Sequence, residues 1–298
     1  MFLVKVTQIP SLTGIALLKL LSKFPLSIQY KLGRYLGVFL YYSMAKRRHI
    51  VYVNLSLCLP QLSSAERKSL CKKVFIENGI GIFETGLAWW GKSDQFKNLV
   101  TFDGIEHVNQ ALAKGKGVIL LGAHYSTLDL GGLLVSMHFP IHAMYRPHNN
   151  ATLEHYIRQG RLKCLSSLID RSDFRTVVKT LKKNEIVWYA PDQDFGPENS
   201  VYAEFFGFKA ATLTATARLT KISKAAVIPI AHHRLDDGTY KVEFFPQLSN
   251  FPSSDDAESA QQVNDAIERG IRIDLSQYMW MHRRFKTQPD SSKASLYK

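Results

Sequence analysis

Between Val118 and Ala231 four short, mostly apolar runs recur, separated by stretches long enough for helices, and this alternation narrows the possible folds more than anything else in the chain. The runs are Val118-Ile-Leu-Leu-Gly122, which follows a Gly-Lys-Gly turn, Ile141-His-Ala-Met-Tyr145, Glu185-Ile-Val-Trp-Tyr-Ala190 and Ala226-Val-Ile-Pro-Ile-Ala231. A strand that is apolar at nearly every position is covered on both faces, as in a parallel or mixed sheet. Helical patterns over Thr152–Ser167, Ser172–Lys183 and Ala210–Ser223 lie between the runs, and Asp255–Gly270 adds another amphipathic helix. Tyr240–Phe245 alternates like an edge strand. Strands alternating with helices predict an α/β fold, a three-layer sandwich.

The first 95 or so residues read as mainly helical. Ser63-Ser-Ala-Glu66 has the spacing of a capping box, and the helix it opens continues to Trp89-Trp90. Pro10–Ala45 is rich in Leu, Ile, Phe and Tyr but is broken by Lys19, Lys23, Lys31 and Arg34. Its longest clean stretch, Tyr35–Ala45, is shorter than the ~20 apolar residues that a spanning helix needs. The expectation is a helical membrane anchor over residues 1–45, either a tilted span with snorkelling charges or a helix lying in the interface. A buried amphipathic core helix is the alternative. Lys46-Arg-Arg-His49 follows at once, suited to anionic headgroups on the cytoplasmic side. The main domain then covers 46–289, and 290–298 reads as a polar, flexible tail.

Lys and Arg total 38 against 25 Asp and Glu, a net charge of +13. That surplus suits nucleic acid, an anionic membrane, or an acidic protein or substrate. No nucleic-acid module is legible and the basic residues are scattered, so no nucleic-acid partner is expected. Cys58, Cys71 and Cys164 lie far apart and form no C-x-x-C pair, which suggests neither a zinc site nor a disulfide framework. Phosphate-cradling G-x-x-x-x-G-K-[ST] and G-x-G-x-x-G patterns are absent, as is a G-x-S-x-G nucleophile elbow.

Active sites of open α/β sheets lie beyond the carboxyl ends of the strands. After the first run comes His124, with Asp129 five residues on. If His124 occupies the turn and Asp129 the first helical turn, the carboxylate can hold one imidazole nitrogen and leave the other to take a proton. The second run is followed by Tyr145-Arg146-Pro-His-Asn-Asn150, where the arginine can chelate phosphate or simply be solvated. The third is followed by Asp192-Gln-Asp194-Phe-Gly-Pro, two acids that could bind a metal, hold an arginine or cap the next element. No further metal ligand is visible nearby, so no metal is expected. His232 and His233, adjacent on a strand, face opposite ways and make a poor zinc site.

Taken in order, the His/Asp pair, Tyr-Arg-Pro-x-x-Asn, Asp-x-Asp-x-Gly-Pro, Ile-Pro-Ile and Gln277-Tyr-Met-Trp-Met-His-Arg-Arg-Phe-Lys286 form a set. That set resembles the late lipid A acyltransferases, the lauroyl and myristoyl transferase family of Gram-negative bacteria. The likeness runs nearly end to end and takes in Asn54-Leu55 with Pro60, Glu84-Thr-Gly with Trp89-Trp90, Trp188-Tyr-Ala-Pro-Asp192 and Phe205-Phe-Gly-x-x-Ala-Ala-Thr212. The resemblance implies an O-acyltransferase of the EC 2.3.1 class with the glycerol-3-phosphate acyltransferase type of fold. It would carry a fatty acyl chain, lauroyl or similar, from acyl carrier protein to a 3-hydroxyacyl chain of a tetra-acylated lipid A precursor. The work would be done at the cytoplasmic face of the bacterial inner membrane, without a cofactor other than the acyl-carrier co-substrate. By motif position, His124 would be the base and Asp129 its partner, with Arg161 and Asp192 also catalytic. Tyr145, Arg146, Asn150 and Asp194 would bind substrate. Close relatives usually have Glu where this chain has Asp129, one methylene longer. A glycerolipid (lysophosphatidate-type) acyltransferase is the alternative enzyme, but it usually has a Phe-x-Glu-Gly-Thr-Arg-like block in place of Asp192-Gln-Asp-Phe-Gly-Pro. A non-catalytic basic protein that binds membranes is the third reading.

Overall fold

The computed structural model describes residues 9–290, 292 and 294–298. Its strands are β1 (Val100–Asp103), β2 (Val118–Leu121), β3 (Ile141–Tyr145), β4 (Ser167–Asp170), β5 (Ile186–Tyr189), β6 (Ser200–Phe205), β7 (Phe208–Leu213), β8 (Ala226–Arg234) and β9 (Tyr240–Phe244). Seven of them make one sheet in the order β1-β9-β8-β2-β5-β3-β4, while β6 and β7 form a separate antiparallel hairpin. From β8 to β4 all neighbours are parallel, and β9 reverses direction against β8.

The helices are α1 (Ile9–Leu21), α2 (Leu26–Ser43), α3 (Ala45–Cys58), α4 (Ser64–Trp90), α5 (Ile105–Ala113), α6 (Leu128–Ser136), α7 (Ala151–Arg161), α8 (Phe174–Lys182), α9 (Ala215–Ser223) and α10 (Asp256–Ile271). Alternate strand residues feed two cores. Ile119, Leu121, Val187 and Val227 pack with residues of α3, α8, α9 and α10. Val118, Leu120, Ile186 and Ile228 pack with residues of α5, α6 and the end of α4. All four β2 side chains are 1% exposed or less, and each such burial contributes about 1.5–3 kcal/mol. The expected three-layer sandwich is therefore present, and the buried carboxyl end of β2 gives the turn beyond it a firm base.

Several local expectations need correction. The helix expected over Thr152–Ser167 stops at Arg161, and Ser166 N–H donates to Ile141 O (2.8 Å) as the half-polar strand β4 begins. Residues 200–213 form the hairpin, so the helix expected from Ala210 starts at Ala215. Tyr240–Phe244 is not an edge strand, because β1 pairs along its outer side. The tail is not loose at its end: Tyr297 is buried, its hydroxyl donating to Asn54 Oδ1 (2.6 Å) and accepting from Phe285 N–H (3.0 Å).

Among the described residues no helix is long and apolar enough to cross a membrane, so the expected spanning anchor is not seen. Residues 1–8 of that segment lie outside the described residues. Helix α2 instead packs closely on α4: a Cβ at Gly33, Gly37 or Gly79 would strike the backbone of the facing helix. Tyr30 and Tyr240 hydroxyls meet at 2.6 Å and tie α2 to β9. The capping box at Ser63 and Glu66 is formed and starts α4 as expected. The outward side of this helical layer stays apolar, with Leu17, Leu20, Phe24, Ile28, Leu32, Tyr35, Phe39 and Tyr42 exposed.

Candidate active site

Leu121 and Tyr189 are register partners on the parallel neighbours β2 and β5. His124 and Asp192 each lie three residues beyond that pair, so the two chains leave the sheet together and the side chains meet. Asp192 grips the histidine twice. Its Oδ1 lies 2.6 Å from His124 Nδ1, and its Oδ2 accepts the His124 backbone N–H (3.0 Å). A carboxylate can only accept, so Nδ1 carries the proton and Nε2 keeps its lone pair. The C-terminal segment braces the same turn, with Ser126 N–H donating to Gln277 O (2.7 Å) and Met279 N–H to His124 O (2.9 Å). Buried Asn54 holds that segment in turn, through Trp280 O (2.8 Å) and His282 O (2.7 Å).

The His124 side chain remains 24% exposed while that of Asp192 is 1% exposed. Burial pulls the His124 pKa down, but the charge of Asp192 and its hydrogen bond outweigh this, and the net shift is upward. Burial pushes Asp192 up, yet the histidine charge and hydrogen bonds bring it below the ordinary carboxylate value.

Asp129, expected to hold the imidazole, does not do so. It sits in the first turn of α6 as the spacing required, but its carboxylate turns to Arg161, with Nε at 2.7 Å and Nη2 at 3.4 Å. Trp89 Nε1 also donates to it (3.2 Å). The reason is geometric: Arg161, at the end of α7, reaches it with two donors of a rigid fork, whereas the parallel register has already brought Asp192 to the imidazole. Burial lowers the Arg161 pKa, but Asp129 overrides this and Arg161 stays charged.

Two chambers meet at this point. A cleft of about 310 Å³ holds His124, Arg146, Arg171, Gln193, His282 and Lys286. Beside it lies a mostly apolar cavity between α4, α6, α7 and β3, lined by Trp89, Gly132, Val135, Ile141, Leu165 and Ile230, with Asp129 and Arg161 in its wall. Met144, Tyr145 and Trp188 line both. The Trp188 indole stands edge-on to the imidazole at 6.2 Å, and a Cβ at Gly122 would strike it.

The other expected site residues divide. Tyr145 and Arg146 line the cleft, and Tyr145 is also tied to Glu154 (3.0 Å). Asn150 does not line it. It caps α7, accepting from Thr152 and Leu153 N–H (3.0 and 3.2 Å), and donates to Ser11 (3.2 Å), as befits an Asn before a helix. Asp194 lines the cleft, but its oxygens accept from Gly196 N–H (2.9 Å) and from the N–H and hydroxyl of Thr287 (both 2.8 Å). It therefore tethers the C-terminal segment. Among the described residues no cluster of His, Cys, Asp or Glu could hold a metal ion. The sequence alone assigns no role to His282, Lys286 or Arg171. The first two lie inside a motif, while Arg171 follows a strand too polar to recognise. Burial pushes the His282 pKa down to about 4, so its ring is neutral near pH 7, and its Nδ1 has no partner among the described residues.

Residues 3–287 match the family model described as bacterial lipid A biosynthesis acyltransferase. The chain is 37% identical over 279 residues to the lipid A biosynthesis lauroyltransferase of Escherichia coli K12, covering 93% of this chain and 91% of that protein. It is 34% identical to the palmitoleoyltransferase of the same organism, over 95% of this chain and 93% of the other. The myristoyltransferase of that organism matches at 26%, over 94% and 86% of the two chains. A crystal structure of the 1-acyl-sn-glycerophosphate (LPA) acyltransferase from Thermotoga maritima aligns with a TM-score of 0.38 and 14% identity, over 84% of this chain and 99% of that one, a likeness too loose to carry weight.

Proposed function

The chain belongs to the bacterial lipid A biosynthesis acyltransferase family, and from that premise we propose that it moves an acyl chain of lauroyl length or similar from acyl carrier protein to a 3-hydroxyacyl chain of a tetra-acylated lipid A precursor. The observation that carries the mechanism is the His124–Asp192 pair at the junction of a polar cleft and an apolar cavity.

Nε2 of His124 takes the proton of the acceptor hydroxyl as its oxygen attacks the thioester carbonyl. The imidazolium, held by Asp192, returns that proton to the departing thiolate as the C–S bond breaks. Ester and thiol are the products, and no covalent enzyme intermediate is needed. A positioned base of this kind is worth about 10²–10⁴-fold. The tetrahedral oxyanion needs a donor. Three backbone amides of the turn are occupied: Gly122 N–H donates to Tyr189 O, His124 N–H to Asp192 and Ser126 N–H to Gln277 O. Arg161 uses Nε and Nη2 on Asp129, and its Nη1, without a partner among the described residues, is the donor we assign. The acyl chain occupies the apolar cavity beneath Trp188.

We assign the exposed apolar face of α1 and α2 to a bilayer surface. Ile28, Leu32, Tyr35, Phe39 and Tyr42 recur at helical spacing, and Lys46-Arg47-Arg48-His49 comes next to meet anionic headgroups. Helix α1 packs on α4 and α7, the helices that wall the cavity, so acyl chains would enter from that side. The acidic carrier protein is favoured by the +13 charge.

Purified protein, tetra-acylated precursor and carrier proteins charged with several chain lengths, followed by mass spectrometry, test the reading. One added acyl group of about lauroyl length is expected. An unchanged precursor with every donor would refute it. Flotation with anionic vesicles should fail for Phe39→Asp if the α2 face meets the bilayer, and equal flotation would remove that part.

A further inference from the structure

The cleft around His124 carries positive charge for which the proton transfer has no use. Arg146 and Arg171 directly follow Tyr145 and Asp170, which are register partners on the parallel strands β3 and β4. Neighbouring strands run about 4.8 Å apart, so the two arginines leave the sheet side by side. Arg171 is fixed from two directions: its backbone N–H donates to Tyr145 O (2.9 Å), and its guanidinium lies 5.4 Å from the centre of the Phe195 ring. Lys286 arrives from the C-terminal segment, held in place by the bonds of Thr287 to Asp194. All three side chains line the one cleft.

These cations are nearly uncommitted. Among the described residues, neither Arg146 nor Arg171 forms an ion pair. Lys286 has Asp194 Oδ1 at 3.9 Å, an oxygen that already accepts from Gly196 and Thr287. Three like charges facing one space repel one another unless an anion sits between them, and two guanidinium forks beside an ammonium match the oxygens of a phosphate. We propose that Arg146, Arg171 and Lys286 seat a phosphate group on the sugar headgroup of the acceptor lipid.

This rests on the proposed transfer reaction and locates a part of the substrate which that reaction leaves unplaced. Reach separates the acceptor's phosphate from the donor's. The phosphodiester of the carrier protein is joined to the thioester through the whole pantetheine arm. The cations line the same cleft as the reacting imidazole. A sugar phosphate and the hydroxyl of an acyl chain on that sugar are close enough to fill one cleft together.

The test uses the diphosphorylated tetra-acyl disaccharide and the same lipid lacking one or the other phosphate, with wild type, Arg171→Gln and Lys286→Gln. Both equilibrium binding in detergent micelles and transfer are measured. Wild type should bind the fully phosphorylated lipid roughly tenfold or more tightly than one of the dephosphorylated forms. Each variant should lose most of that preference, with a matching rise in acceptor KM and an unmoved donor KM. A preference that persists in the variants, or an equal loss for all the lipids, overturns the site. A donor KM that rises while the acceptor KM stays put gives the cations to the carrier's phosphodiester and overturns it too. If phosphate-dependent and Arg171-dependent binding appears but no acyl group moves, the site stands and the transfer reading falls.

Discussion

Two carboxylate pairs stand side by side in this protein, and they differ in what they can do. Asp192 holds His124 where strands end, in a polar cleft. Asp129 holds Arg161 between helices, in the wall of an apolar cavity. Their exposures are alike: 24% and 1% for His124 and Asp192, 24% and 11% for Arg161 and Asp129. The chemistry of the cation therefore makes the difference. An imidazole gives and takes a proton near neutrality, whereas a guanidinium stays charged and can only supply a fixed field. One pair is suited to moving a proton, the other to stabilising charge that appears beside it.

Removing the moving partner should cost most. His124→Ala is expected to lower kcat on the order of 10³–10⁴-fold, measured by acyl transfer, with the thermal midpoint near that of wild type. Normal turnover would dissolve the contrast between the pairs. A crossed experiment comes next. Asp192→Asn, which keeps the shape and loses the charge, should lower kcat/KM by roughly 10²–10³-fold and shift the acidic limb of the pH profile. Asp129→Asn should lower activity by about tenfold, through a less well-held Arg161, and leave that limb where it is. The opposite result would mean that Asp129 swings to the imidazole when substrate is bound.

Much of the sheet and part of the site are legible in the sequence. The four apolar runs become four strands of the sheet because side chains buried on both faces leave no choice of residue type. The place of His124, just beyond the end of a strand, is legible for the same reason. Its partner is not. Five-residue spacing is a local quantity, while the meeting of His124 with Asp192, 68 positions away, depends on which strands are neighbours and in what register. Strand β4 (Ser-Leu-Ile-Asp) and the β6–β7 hairpin escape a sequence reading because half-exposed strands lack a continuous apolar signal. Arg171 is hidden along with β4. The anchoring of Tyr297 rests on one hydroxyl reaching buried Asn54, which no tail composition reveals.

The apolar chamber can be altered without touching either pair. A Cβ at Gly132 would find only Leu165 Cδ2, at 4.0 Å, so a larger side chain fits by filling the cavity. Gly132→Val should shift the preference toward shorter donors by roughly tenfold, the size of effect expected for one or two methylenes in a pocket. Competition between charged carrier proteins measures it, and an unaltered product distribution would move the acyl chain out of this cavity.

The smallest expected effect is the position of the acidic limb, and it separates the pairs most directly. Only neutral imidazole accepts a proton. The net upward shift of His124 puts the midpoint of kcat/KM above the ordinary histidine value of 6.5, with activity rising as pH rises through it. His282, pushed down to about 4 by burial, is already neutral there and adds no second step. The same shift fixes the sign for stability. A raised histidine pKa stabilises the fold fully below the unfolded value of 6.5, and that contribution is lost as pH climbs through the folded one. The depressed Asp192 contributes above 3.8 and is lost as pH falls through its folded value. The gap in thermal midpoint between wild type and Asp192→Asn should thus be widest between 3.8 and 6.5 and narrow at higher pH, over the interval in which the wild-type rate climbs. The Arg161 guanidinium, its pKa raised by Asp129, stays charged throughout and contributes no such step. A gap in midpoint that stays constant from 3.8 to well above 6.5 would mean that His124 and Asp192 are not coupled as a titrating pair.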